Sequence, residues 1–312
     1  MTSSWEMLIA PAAGDSAPAI NSAISSMAST HGGGTVRLHP LAYTLEAPIV
    51  RASNVKIKGA FCGAHLFDTA LSEGTILTWA GAQGGVVIYD APAVGADRID
   101  NGGVFDLSID GAGVARTGLQ SMSSYCAKYA RIHCVGVTAQ AYYFGTLPSP
   151  AAIANYHSRL DDLTAAVIGP THGIVLDGTP GAGRNTCFVS ARNCHITFQH
   201  GVAYALSNCD DCGFVDCAGS MVPGSRGAGI YFGGSSDGSL KAAYANRFIG
   251  WNCNAPISAA GGTSPSRGNL VVTNSVDGVP AIYQSTGATI TVANYDGEVG
   301  FNGFVRNPLK SG

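Results

Sequence analysis

Residues 185–217 read NTCFVSARNCHITFQHGVAYALSNCDDCGFVDC, and the spacing within this stretch decides the architecture. Cys187 and Cys209 lie 22 residues apart, Cys194 and Cys217 lie 23 apart, and Asn185 and Asn208 mark similar places one repeat apart. Further on, Asn246 and Asn269 are another 23 apart. A repeat of this length falls at the lower edge of the ~20 to 50 residues that mark solenoids, and suits one turn of a parallel coil in which like residues stack. Interior ladders of Cys and Asn are the expected result. At this period residues 35–300 make roughly eleven or twelve coils, and a ~4.8 Å strand spacing gives a rod of about 55 Å.

Composition agrees with a strand-and-turn protein. Hydrophobic residues make up 46% of the 312, enough for a large core, while charged residues are 12% and glycines number 42. Asp and Glu total 20 and are strongly skewed to Asp, which serves turns. A net charge of −3 implies no basic surface able to dominate binding to nucleic acid. No apolar run is long enough for a membrane helix, and residues 1–14 lack the basic start and apolar core of a signal peptide. Synthesis in the cytoplasm without general export, and no membrane insertion, are the expectations. Nine Cys is an odd number, which excludes full pairing, so the cysteines read as thiols acting as small core hydrophobes.

One helix stands out. Ser16 can cap it, Pro18 suits its first turn, Ile20, Ala23, Ile24 and Met27 recur at helical spacing, and Gly32, Gly33 and Gly34 stop it. A coil stack leaves open sheet edges at its ends, so this amphipathic helix, residues 15–34, is placed over the first coil. Short β-like runs follow at 35–38, 54–58, 75–79, 86–89, 104–109, 130–135, 173–176, 201–206, 229–232, 269–273 and 289–293. No second helical period separates them, which disfavours doubly wound and (β/α) barrel folds. The expected organisation is an arm at 1–14, the capping helix at 15–34, an all-β single-stranded parallel β-helix at 35–300, and a tail at 301–312.

Asp15, Ile20, Ala23 and Ile24, then Gly32, Gly33, Gly34, Thr35, Val36, Leu38, Pro40, Tyr43 and Leu45, followed by Asn54, Val55, Ile57 and Gly59, resemble the capping helix and first coils of pectate-lyase-like right-handed parallel β-helix proteins. That superfamily holds polygalacturonases, polysaccharide lyases, and spikes and fibres of phages and phage-like particles such as gene transfer agents. The resemblance therefore implies the fold and leaves the chemistry open.

Polygalacturonase-like enzymes carry an Asn, Thr, Asp triplet and then an Asp pair about one coil later. Here Asn185 and Thr186 are followed by Cys187, and Asp210 and Asp211 stand a coil on, but no Gly, His, Gly or Arg, Ile, Lys triplet follows. Adjacent carboxyls on a strand would point to opposite faces, whereas inverting hydrolysis needs two across the scissile bond. Cys209 and Cys212 form one CxxC without a second pair, and Asp106, Asp110 and Asp177 read as coil-turn residues before a calcium site, so no metal or cofactor is expected.

The richest polar cluster is residues 155–162, after a proline-bearing stretch at 148–150. On a strand, His157, Arg159 and Asp161 would share a face with Leu160 inward, holding a base, an anion or hydroxyl binder and a carboxylate together. Tyr142, Tyr143 and Tyr156 flank it, with Trp251 a further candidate, because aromatic faces with polar rims are common sugar platforms. Phe144 reads as core. The resemblance and this cluster imply a homotrimeric spike or fibre subunit, on a virion or phage-like particle, that binds host capsule or lipopolysaccharide as an adhesin. Residues 1–14 would contact a particle base or adaptor. The alternative is a depolymerase, hydrolase or lyase, using Asp161, Asp162, Asp210 or Asp211.

Overall fold

The computed structural model describes residues 5–62, 71–93, 96–147, 155–178, 185–233, 242–253, 255–261, 264–273, 280–295 and 301–305. The stretch at 148–150 and most of the expected tail lie outside them.

All eleven β-like runs fall on strands, and these strands stack in parallel. One large sheet runs from Glu6–Ile9 through eleven parallel rungs to Ile290–Tyr295. A second sheet of nine strands runs from Ile49–Val50 to Ile282–Gln284. Between them, two-residue rungs such as Ser124–Tyr125 and Cys209–Asp210 line one corner of each coil. The chain thus cycles from nine-stranded sheet to corner to large sheet, and buries one continuous apolar core along the axis.

The 23-residue step holds between some coils only. Ser190 pairs with Gly213 and Arg247 with Leu270, each 23 on, but Lys128 pairs with Arg159, 31 on, and Gly213 with Arg247, 34 on. Extra residues enter at the connections, because inward and outward positions must stay aligned within each sheet. The same slippage displaces one cysteine stack: Thr186, not Cys187, pairs with Cys209, while Cys187 pairs with Asp210. The Asn ladder is present and buried. Asn269 Oδ1 accepts from Asn246 Nδ2 at 3.0 Å and from its backbone N–H at 3.1 Å. All nine cysteines are free thiols, seven of them buried, with Cys126 exposed and Cys62 half-buried.

The helix spans Ala17–His31 and buries Ala17, Ile20, Ala23, Ile24 and Met27. Its cap is Asp15 in place of Ser16: Asp15 Oδ1 accepts the N–H of Ala17 and of Glu46, each at 3.0 Å, while Ser16 Oγ accepts from Ala12. Gly32, at φ 67°, closes the C-terminus. The segment expected as an arm holds a strand, Glu6–Ile9, that pairs with Gly34–Leu38 and adds a rung to the sheet. At the far end Phe301–Val305, expected in the tail, folds back antiparallel on Ile290–Tyr295.

A buried ion pair ties the early coils together. Arg51 and Asp90 meet at 2.9 Å with neither side chain exposed. Tyr129 donates to Asp90, and Arg51 donates to the carbonyls of Ala52, Val55 and Asn101.

Candidate functional site at the left-handed corner

Where the short rungs turn into the large sheet, one residue per coil adopts a left-handed backbone: Asn54, Asn101, Cys126, His157, Phe188, Asp211 and Ala245, all at φ between 45° and 62°, then Gly268 at 68°. Each donates its N–H to the carbonyl just before the next member. Cys126 bonds Tyr156, Phe188 bonds Asp210, and Asp211 bonds Tyr244. Gly, Asn, Asp and His tolerate this region, but Phe does not favour it. The corner geometry turns their side chains outward.

The result is a ladder of rings on the surface. Arg98 lies 5.3 Å over the Tyr125 ring, and His157 meets Tyr125 edge-on at 5.9 Å. His157 also stacks on Phe188 at 5.2 Å, and Tyr156 lies at 6.3 Å from both His157 and Phe188. Phe188 is 47% exposed, Tyr125 36% and Tyr244 46%. Beyond Phe188 the column shrinks to Asp211 and Ala245. There a hollow of about 370 Å³ opens, lined by Phe188, Asp211, Cys212, Gly213, Ala245 and Arg247.

Among the expected site residues, Tyr156 and His157 belong to this ladder, and Arg159 is exposed beside it at the start of the strand Arg159–Val167. Leu160 points inward and Asp161 outward with Arg159, while His157 precedes the strand, at the corner. Two residues do not belong. Tyr142 is fully buried, its hydroxyl 2.9 Å from the Ile132 carbonyl and 2.6 Å from that of Thr164, because strand alternation sends it inward with Phe144. Trp251 is buried edge-on to Tyr204 at 5.3 Å and to Phe248 at 5.6 Å. Tyr143 lies on the outer face of the nine-stranded sheet, away from the ladder, and donates to Asp177 at 3.3 Å. Burial lifts the Asp177 carboxyl to about 6, above the usual carboxylate range, against the lowering effect of the bonds from Asn208 and Tyr143.

The candidate carboxylates are spread out. Asp161 is held by Lys128 at 2.7 Å, and Asp162 sits in a second left-handed column with Asp106, Arg131, Asn193 and Asp216, at a bend in the large sheet. Asp210 accepts the Cys187 thiol at 2.7 Å. Asp211, at φ 53°, turns outward alongside Asp210, so the two do not point to opposite faces as a regular strand would require. Asp211 is two rungs from His157, so Asp161 and Asp211 stand about 10 Å apart along the axis alone. Asp106 pairs with Lys58 and Arg131, Asp110 caps its own turn through the Ala112 N–H, and Asp177 belongs to the other sheet, so these three do not converge.

Sequence reasoning passed over Tyr125, Phe188, Tyr244, Arg98 and Arg247. A signal was present: an outward aromatic or polar residue and a left-handed residue between two inward ones, as in 124–127, 155–158, 209–212 and 243–246, with the buried Cys187 before left-handed Phe188 in 186–189. Its unequal spacing hid it.

Fold and corner together define a parallel β-helix protein with an exposed aromatic surface. Solved structures with the same fold include proteins of bacterial viruses. ORF18 of Geobacillus virus E2 superposes with a TM-score of 0.64 at 14% identity, over 92% of this chain and 60% of that one. The pre-mature gene product 12 of bacteriophage phi29 gives 0.63 at 12% identity, over 91% and 40%. Its N-terminal fragment gives 0.61 at 10%, over 90% and 54%. The chain spans less than two thirds of each of these proteins. No protein-family model and no curated protein matches the sequence. No helix among the described residues is long and apolar enough to cross a membrane.

Proposed function

We propose that the chain is a spike or fibre subunit on a phage or phage-like particle that binds host capsule or lipopolysaccharide as an adhesin. The reading rests on the corner ladder of Tyr125, His157 and Phe188, with half-buried Tyr156 beside them, whose rings run along the rod as a saccharide chain would. The fold shared with two bacterial-virus proteins supports the particle setting. Coils wind right-handed in this reading, as nearly all parallel crossovers do.

A homotrimer is part of the proposal. The nine strands of the second sheet contain no Lys, Arg or Glu, and their outward positions include Val50, Tyr89, Val175, Ala205 and Tyr231. The large sheet carries Lys56, Lys58, Lys128, Arg159 and Arg192 instead. A face without Lys, Arg or Glu, whose outward carboxyl among the described strands is Asp177, suits packing between copies, leaving the charged side and the ladder open to ligand.

Incubation with polysaccharide from a candidate host tests the reading. Retention with chain length unchanged is the expected result, and no retention would refute it. Shortened chains would favour the depolymerase alternative, against which Asp161 is committed to Lys128 and Asp210 to the Cys187 thiol.

A further inference from the structure

We infer that the hollow beside Phe188 takes a residue of an acidic sugar chain, with its ring on Phe188 and its carboxylate held by Arg247, while a carboxylate farther along the same chain reaches Arg159. This deepens the adhesin reading and rests on it.

The outward column of the large sheet here reads Arg159, Ser190, Gly213, Arg247. Two arginines are thus separated by two small residues, with a span of about 14 Å over three rungs. At Gly213 an added Cβ would meet nothing within 4 Å, so the space above it is open. Three cations of the earlier coils are engaged: Lys58 and Arg131 pair with Asp106, and Lys128 pairs with Asp161. Among the described residues, neither Arg159 nor Arg247 has an ion-pair partner, and neither does Arg192 one column across. Both Arg159 and Arg247 are exposed.

Each element of the hollow matches a part of such a sugar. Phe188 offers an apolar face for the ring's C–H groups. Arg247 offers a planar fork that binds a carboxylate through two N–H donors. Asp211, also in the lining, accepts from hydroxyls through its carboxylate, so the ring is oriented with its acid group toward Arg247. A neutral sugar would leave both arginines unpaired. A polyanion lacking a ring face would leave Phe188 uncovered.

The test uses the full chain and three probes: a uronic-acid oligosaccharide, the same oligosaccharide with its carboxyls reduced to alcohols, and a sulfated dextran. The uronate is expected to bind in a salt-sensitive manner, about tenfold more tightly than its reduced form. Arg247→Gln and Arg159→Gln should each abolish that preference, and Gly213→Trp should block binding by filling the hollow. Arg226→Gln, outside the hollow, should change nothing. Equal binding of uronate and reduced oligosaccharide, or an Arg247→Gln variant that keeps the preference, would overturn the inference while leaving the adhesin reading intact. Tighter binding of sulfated dextran would overturn the carboxylate assignment. Failure to bind both these probes and host polysaccharide would overturn both readings.

Discussion

The imidazole of His157 lies face to face with the Phe188 ring, centroids 5.2 Å apart and planes 10° from parallel, though one coil of 31 residues separates them in sequence. Each is exposed and sits on a left-handed backbone, at φ 56° and 54°. Coil stacking holds this pair, with little contribution from burial. Replacing His157 with Ala should therefore leave thermal stability within about 0.5 kcal/mol, as for most exposed sites. Retention on polysaccharide should fall by three- to tenfold, roughly the 0.5 to 1.5 kcal/mol of one aromatic contact. Melting and retention measured on the same sample check both.

Phe188→Asn should separate backbone strain from recognition. Asn tolerates the left-handed region that Phe resists, an advantage of about 1 kcal/mol that offsets the packing lost from a ring already half in solvent. The melting midpoint should hold or rise while polysaccharide retention falls. A fall in both would mean that the ring is needed for the corner itself.

Arg51 and Asp90 form an ion pair with no exposure, so removing one partner strands a charge in the core. Asp90→Ala should cost about 3 to 5 kcal/mol in denaturant unfolding. The double replacement Arg51→Met with Asp90→Leu should recover most of that loss, because no buried charge then remains.

Asp177 should make the fold prefer mild acid. Its folded carboxyl titrates near 6, above the usual range, so the folded state holds a proton that the unfolded chain releases. Stability from this group is full below the ordinary carboxylate pKa and is lost as pH rises through about 6. Asp177→Asn should flatten the pH profile of unfolding between roughly 4 and 6 and add about 1 kcal/mol at neutral pH.

Much of the fold was legible because stacking repeats a chemical environment. Asn246 and Asn269 occupy equivalent interior places, so their 23-residue spacing reported a true coil. Cys187 and Cys209 misreported by one residue, since thiols fit interior corners and half-open ones alike, and the pairing that joins Thr186 to Cys209 leaves no trace in composition. Tyr142 and Tyr143 show the same limit. Neighbouring tyrosines must face opposite ways, but which one faces in depends on the register with Ile174 and Val175.

Sequence by itself determined the coil architecture, the amphipathic helix over Ala17–His31 and the strand positions, because each follows from local pattern and burial of apolar surface. Tertiary structure alone decided which residues share the surface. Connections of unequal length bring Tyr125, His157, Phe188 and Arg247 to one corner and send Tyr142 and Trp251 into the core. Sheet register fixes position across the axis whatever the number of residues between rungs, so neighbours on the rod cannot be counted along the chain.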